Sequence, residues 1–194
     1  LKYTSSPGDR RAAPQKLFFS KSGDFEDMTT GTNSTDGMTF TIGSDQVNAI
    51  RYVKGLRTLL IGTTGGEFVA TASSSAEPIT PTNIQIKRQA GYGTSEVDAL
   101  LAGNRILFAQ RAGKKVRELV FDFDTDGYIA PDLTILAEHI GGSGVGTGFT
   151  NWTYQQEPDS IVWVVRSDGV LTGMTYQRGE NVVAWHRHIL GGAF

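Results

Sequence analysis

One outline recurs four times in this chain. An apolar triplet is followed by a polar turn containing glycine, then by a second strand-like run. The four instances are "LFFSKSGDFEDM" (17–28), "LLIGTTGGEFVATA" (59–72), "ILFAQRAGKKVRELVFD" (106–122) and "IVWVVRSDGVLTGMTYQ" (161–177). The triplets open at Leu17, Leu59, Ile106 and Ile161, so successive units lie 42, 47 and 55 residues apart. A period in this range belongs to stacked or radial repeats, where each unit buries its faces against the next. Each turn carries glycine, at Gly23, Gly65 with Gly66, Gly113 and Gly169. Glycine accepts the positive φ that tight hairpin turns require. Asp168 followed by Gly169 is the strongest single hairpin signal.

The flanks complete each unit. "AIRYVKGL" (49–56), "VDALLAGN" (97–104) and "TNWTYQQ" (150–156) precede the last three hairpins, and "LKY" (1–3) precedes the first. After the hairpins come "MTFTIG" (38–43), "IQIKRQ" (84–89), "LTILAEH" (133–139) and "VVAWHRH" (182–188) as outer strands. Met38, Phe40 and Ile42 alternate onto one face, as a half-buried strand does. The expected fold is all-β and β-propeller-like: about four blade-type units of antiparallel strands, near 1–43, 44–89, 95–139 and 149–190. They form a single domain or a fragment of a larger protein. One stretch has a helical competitor: in "SDQVNAIRYVKGL" (44–56), Val47, Ile50 and Val53 fall three apart behind Ser44 or Asp45 as a cap. The fourth unit favours strands. Ile161, Trp163 and Val165 point one way and Val162 and Val164 the other, as in a strand buried on both faces. Leu59 to Ile61 and Ile106 to Phe108 repeat that doubling.

Composition narrows the function. Glycine is 24 of 194 residues and proline six, which suits many reversals. Hydrophobic residues at 39 % and charged residues at 20 % suit a globular chain. The net charge of −2, without a basic stripe, offers no footprint for duplex nucleic acid. The chain has no cysteine, which excludes disulfides, thiolate zinc sites and cysteine nucleophiles. No apolar stretch approaches the length of a membrane-spanning helix, and no signal-peptide pattern opens the chain. The start at Leu1 and the end at "GGAF" read as an excised piece of a longer protein, with a processed N-terminus as the equal alternative.

Few motifs carry chemistry. "DFDTDG" places Asp122, Asp124 and Asp126 before Gly127, like the first half of a calcium loop. The twelfth position is Leu133 where a bidentate Glu is needed, and Asp132 stands one residue off, so a strand end running into a turn is the expected reading. His186 and His188 share a face if 182–188 is a strand, and two imidazoles there want a third ligand. The only other histidine is His139. "GGSGVGTG" (141–148) is phosphate-loop-like in composition only, lacks the Lys-Ser/Thr ending, and holds Ser143 out of frame for a nucleophile elbow. It reads as a flexible connection between blades. Glu67, Glu157 and Asp159 are unpaired carboxylates. No catalytic residue, cofactor or metal is therefore expected.

Long phrases in order carry a resemblance from about residue 15 to 188. They are "FFSKSGDFEDM", "GSDQVNAIRYVKGLRTLLIGTTGGEFVA", "ITPTNIQIKRQAGYGTS", "GNRILFAQRAGKKVRELVFDFDTDGY", "DLTILAEHI" and "WTYQQEPDSIVWVVRSDGVLTGMTYQRGENVVAWHRH". The chain resembles the nozzle, or tail tubular protein B-like, components of short-tailed bacteriophages and prophages. The resemblance implies a non-catalytic structural protein of the virion tail, made in the bacterial host cytoplasm. Its partners would be copies of itself in a ring, other tail proteins, and DNA passing through the channel without sequence-specific binding. Loops such as "SSSAEPITPT" (73–82) would then serve subunit contacts or act as solvated linkers. The alternative is a ligand- or partner-binding sensor propeller, since "LRTLLIGTTGGEFVA" (56–70) also looks like a blade of that class. That reading expects an axial pocket with convergent polar groups. A glycosidase-like propeller would need facing carboxylates, for which Asp24, Glu67 and Asp168 lie nearest the hairpins.

Overall fold

The computed structural model describes residues 14–43, 48–74 and 76–189. Among these residues the chain forms fourteen strands and two 3-10 turns, Glu138–Gly141 and Arg178–Glu180, with no α-helix. It divides into two compact units, Leu1–Gly91 and Tyr92–Phe194. The expected all-β, blade-type architecture is the one observed. Three of the four sheets are four-stranded antiparallel meanders whose strands pair in chain order.

In the first unit, β1 (Lys16–Phe19) pairs with β2 (Met38–Thr41), setting Leu17 opposite Phe40. The second sheet runs β3 (Ile50–Gly55), β4 (Leu59–Thr63), β5 (Gly66–Thr71) and β6 (Gln85–Ala90). Leu17, Phe19, Met38 and Ile42 pack with Ile61, Phe68 and Ala70 into one core. The β4–β5 turn is closed from within. The Thr63 hydroxyl accepts from the Gly65 and Gly66 amides at 3.3 and 3.1 Å and donates to the Gly66 carbonyl at 2.7 Å.

Two expectations change here. Residues 17–28 do not form a two-stranded hairpin: β1 takes its partner from 38–41, and only a single bridge joins Lys21 to Asp24. The carboxylates explain it, because Asp24 accepts from the Glu26 and Asp27 amides at 3.1 and 3.3 Å and so offers the backbone a turn instead of a ladder. The helical competitor over 44–56 is also set aside where it can be judged. Residues 50–55 are strand, with Tyr52 buried opposite Gly62, while 44–47 lie outside the described residues. "LKY" lies outside them too.

The second unit holds two meanders. One is β7 (Leu100–Ala102), β8 (Arg105–Ala109), β9 (Val116–Asp122) and β10 (Gly127–Ile129). The other is β11 (Phe149–Gln155), β12 (Ile161–Arg166), β13 (Leu171–Gln177) and β14 (Val182–His188). Leu107, Ala109 and Val116 of the first pack with Val162, Val164, Met174 and Tyr176 of the second. Each fully buried Val, Leu or Met there contributes about 1.5–3 kcal/mol. Indole donors from the second sheet also reach the segments that flank the first. Trp152 Nε1 donates to the Asp98 carbonyl at 2.5 Å, and Trp185 Nε1 donates to the Leu133 carbonyl at 2.8 Å.

The segment 133–139 is not the outer strand of its blade. Gly127–Ile129 takes that place against β9. Residues Leu133, Ala137 and Ile140 instead turn inward at a helix-like spacing and enter the core, leaving Ile135 and Leu136 exposed. That spacing overrides the period-two pattern of Leu133, Ile135 and Ala137. The doubled apolar run holds fully in β8, where Ile106, Leu107, Phe108 and Ala109 are all 0 % exposed. In β12 it holds on one face only: Val162 and Val164 are buried, while Ile161, Trp163 and Val165 are half-buried. Among the described residues no helix is long and apolar enough to cross a membrane.

Candidate functional site

The most organised polar group lies where the two sheets of the second unit meet. Glu118 on β9 occupies an inward position beside Val116 and is 0 % exposed. Its register partner on β8 is Leu107, so Arg105, two residues back on the same face, reaches it diagonally across the pair. The Arg105 guanidinium donates to Glu118 Oε1. From the other sheet, Arg178 follows directly after β13 and donates to Glu118 Oε2 through Nε at 2.6 Å, with its Nη2 2.5 Å from the same oxygen. Both carboxylate oxygens are thereby engaged by guanidinium groups, the geometry in which a buried charge is tolerated.

The surroundings carry the mark of this cluster. Burial holds the Tyr176 phenol in its neutral form, and the Glu118 charge adds to the effect, pushing its pKa up to about 12. Burial alone would lower Arg178, but its hydrogen bond to Glu118 and the Glu118 charge together with Tyr176 outweigh it, and the net direction is upward. The Arg178 guanidinium also stands 6.0 Å from the Tyr176 ring.

The residues singled out from sequence fall elsewhere. Asp122, Asp124 and Asp126 form the β9–β10 turn. Asp122 Oδ2 accepts from the Thr125 amide and hydroxyl at 3.2 and 2.9 Å, and Asp126 takes a φ of +47°. Asp132 is occupied separately, accepting from the Thr134 amide at 2.8 Å and from Lys115 Nζ at 2.9 Å. Among the described residues no three His, Asp or Glu side chains gather to hold a metal ion.

Glu157 and Asp159 are exposed between β11 and β12. Asp168 caps the β12–β13 turn and pairs with Arg166, which holds its carboxyl below the usual carboxylate range. In the first unit, Asp24 is exposed in its turn and Glu67 is fully buried on β5. The segment 73–82 is anchored by Asn83, which accepts from the Thr80 amide at 2.7 Å and donates to the Pro78 carbonyl at 3.0 Å.

The glycine-rich stretch 141–148 is held, not loose. Lys114 Nζ and the Thr147 hydroxyl donate to the Gly144 carbonyl at 2.9 and 2.6 Å, and Ser167 Oγ donates to Gly146 at 3.2 Å. Arg166 Nη1 donates to the Ile140 carbonyl at 3.1 Å. Lys114 is thus spent on a backbone oxygen, and Arg166 divides its donors between a backbone oxygen and Asp168.

The two histidines of β14 do come together. His186 and His188 share a face, and Nδ1 of the first lies 2.8 Å from Nε2 of the second. His139 belongs to the 3-10 turn at 138–141.

Sequence reasoning missed the Glu118 cluster. The available signal was "VRELVFD", where a charged residue takes an inward place two positions after Val116 in a strand. Fold and site together define an all-β protein of blade-type meanders in which one fully buried carboxylate, Glu118, is shared between two neighbouring sheets. No family model matches the chain, and no curated protein matches it.

Proposed function

We propose that this chain is a non-catalytic structural module of a phage or prophage tail, part of a nozzle ring that contributes to the DNA ejection channel. The proposal starts from the ordered sequence resemblance over 15–188. The structural observation that carries it is the use of charge. Glu118, Arg105 and Arg178 clasp one blade to its neighbour, and the indoles of Trp152 and Trp185 tie the second sheet to segments flanking the first. Such a module resists deformation, which suits a conduit wall. A net charge of −2 also gives the passing duplex little to grip. The apolar side chains left outward in the second unit, Phe123, Ile135 and Leu136 among them, supply surface for neighbouring subunits.

The test is the solution mass of the protein carrying this chain, by light scattering, with particle images of the same sample. Rings of several copies around an open channel are expected. A compact monomer that binds a small ligand would overturn the proposal in favour of a sensor-type propeller.

A further inference from the structure

The open face of the last sheet carries an arrangement that the structural role does not use. Among the described residues β14 is an edge strand, paired only with β13. Its period-two geometry sets His186 and His188 on one face, with their ring centroids 4.9 Å apart. Trp163 on β12 packs against both, at centroid distances of 5.9 and 5.0 Å. Its own indole N–H is engaged by Gln155 Oε1 at 2.8 Å, which fixes the ring. Between them on β13 stands Gly173, the register partner of His186. A Cβ at that position would overlap the His186 ring, so only glycine leaves this imidazole its place.

We propose that His186 and His188 form a two-imidazole site for a divalent transition-metal ion that favours tetragonal coordination, Ni²⁺ or Cu²⁺, with solvent completing the shell. The donor set selects the class, because imidazole nitrogens completed by solvent suit Ni²⁺ and Cu²⁺. Nδ1 of His186 and Nε2 of His188 share a hydrogen bond at 2.8 Å, and the ion takes the place of the proton between them. Small rotations about the two χ2 bonds bring both lone pairs onto one point. The Trp163 ring and the Gly173 cleft hold the two imidazoles in place, which removes part of the ordering entropy a metal must otherwise overcome.

Trp163 also supplies the readout, because a bound paramagnetic ion beside it quenches its fluorescence. Untagged protein is titrated with Ni²⁺, following tryptophan emission and, in parallel, bound metal by equilibrium dialysis. Saturable quenching with one ion per chain is expected. His186→Gln and His188→Gln should each abolish it, with far-UV circular dichroism unchanged, while His139→Gln leaves it intact. Trp163→Phe should lose the quench yet still bind one ion. Gly173→Ala keeps both ligands but displaces one ring, and should weaken binding. Absence of saturable binding by the natural chain, or binding unaffected by either β14 histidine substitution, would overturn the proposal.

Discussion

Glu118 concentrates the physics of this protein in one side chain. Removing one partner from a buried ion pair leaves an uncompensated charge, whereas removing the whole group does not. Replacing Arg105 and Arg178 together by Ala leaves the fully buried Glu118 carboxylate without its guanidinium partners and is therefore expected to destabilise the second unit by about 3–5 kcal/mol, read as a drop in the urea midpoint. Replacing Arg105, Glu118 and Arg178 together by Met, Leu and Met should recover most of that loss, since apolar packing substitutes well for buried ion groups.

His186 gives a second expectation. Its folded pKa lies below the unfolded value of 6.5. Its contribution is present above that value and lost as pH falls through the folded pKa, because the unfolded chain takes the proton first. Stability should fall from pH 7 toward mild acid, and His186→Gln should flatten that slope. The carboxylates of Asp132 and Asp168 are held below their ordinary 3.8, so their losses come at lower pH and do not overlap this window.

At the scale of elements, turns decided which strands paired. The β9–β10 connection stands on its own hydrogen bonds. Asp122→Ala should cost about 1 kcal/mol through loss of the bonds from Thr125. Asp126→Val, at a φ of +47°, should cost about 1–2 kcal/mol because a β-branched residue resists the left-handed region. Added calcium should leave the thermal midpoint of the natural chain unmoved, as measured by scanning calorimetry.

Twelve of the strands lie in sheets whose pattern was visible in the chain: the glycine-bearing hairpins at 59–72, 106–122 and 161–177 form where expected. What misled the eye was local. The carboxylates of "GDFEDM" bond their own backbone, and Leu133, Ala137 and Ile140 follow a helix-like spacing inside a stretch that also alternates. The site was less legible than the fold. The alternation that puts His186 and His188 together can be read from any strand, but Glu118 meets Arg178 only because two sheets pack, and no spacing along the chain encodes that meeting.

On the scale of the molecule, each unit has a core of its own. Leu17, Ile61 and Phe68 belong to one, and Leu107, Val162 and Met174 to the other. Leu17→Ala should cost about 2–5 kcal/mol. Amide hydrogen exchange should show the loss of protection within 16–90, with β8 and β12 keeping theirs.

The strictly sequential pairing of the three meanders has a bearing on how the chain is made. Every strand after the first in a sheet finds its neighbour among residues already synthesised. A ribosome releasing this chain lengthens a sheet one strand at a time, and no nascent strand must wait for a distant partner still inside the tunnel. Closing such short loops demands little chain entropy, so each sheet can assemble quickly. An adhesive edge is thus capped by the next strand soon after it emerges, which shortens the interval in which crowded nascent chains could cross-pair.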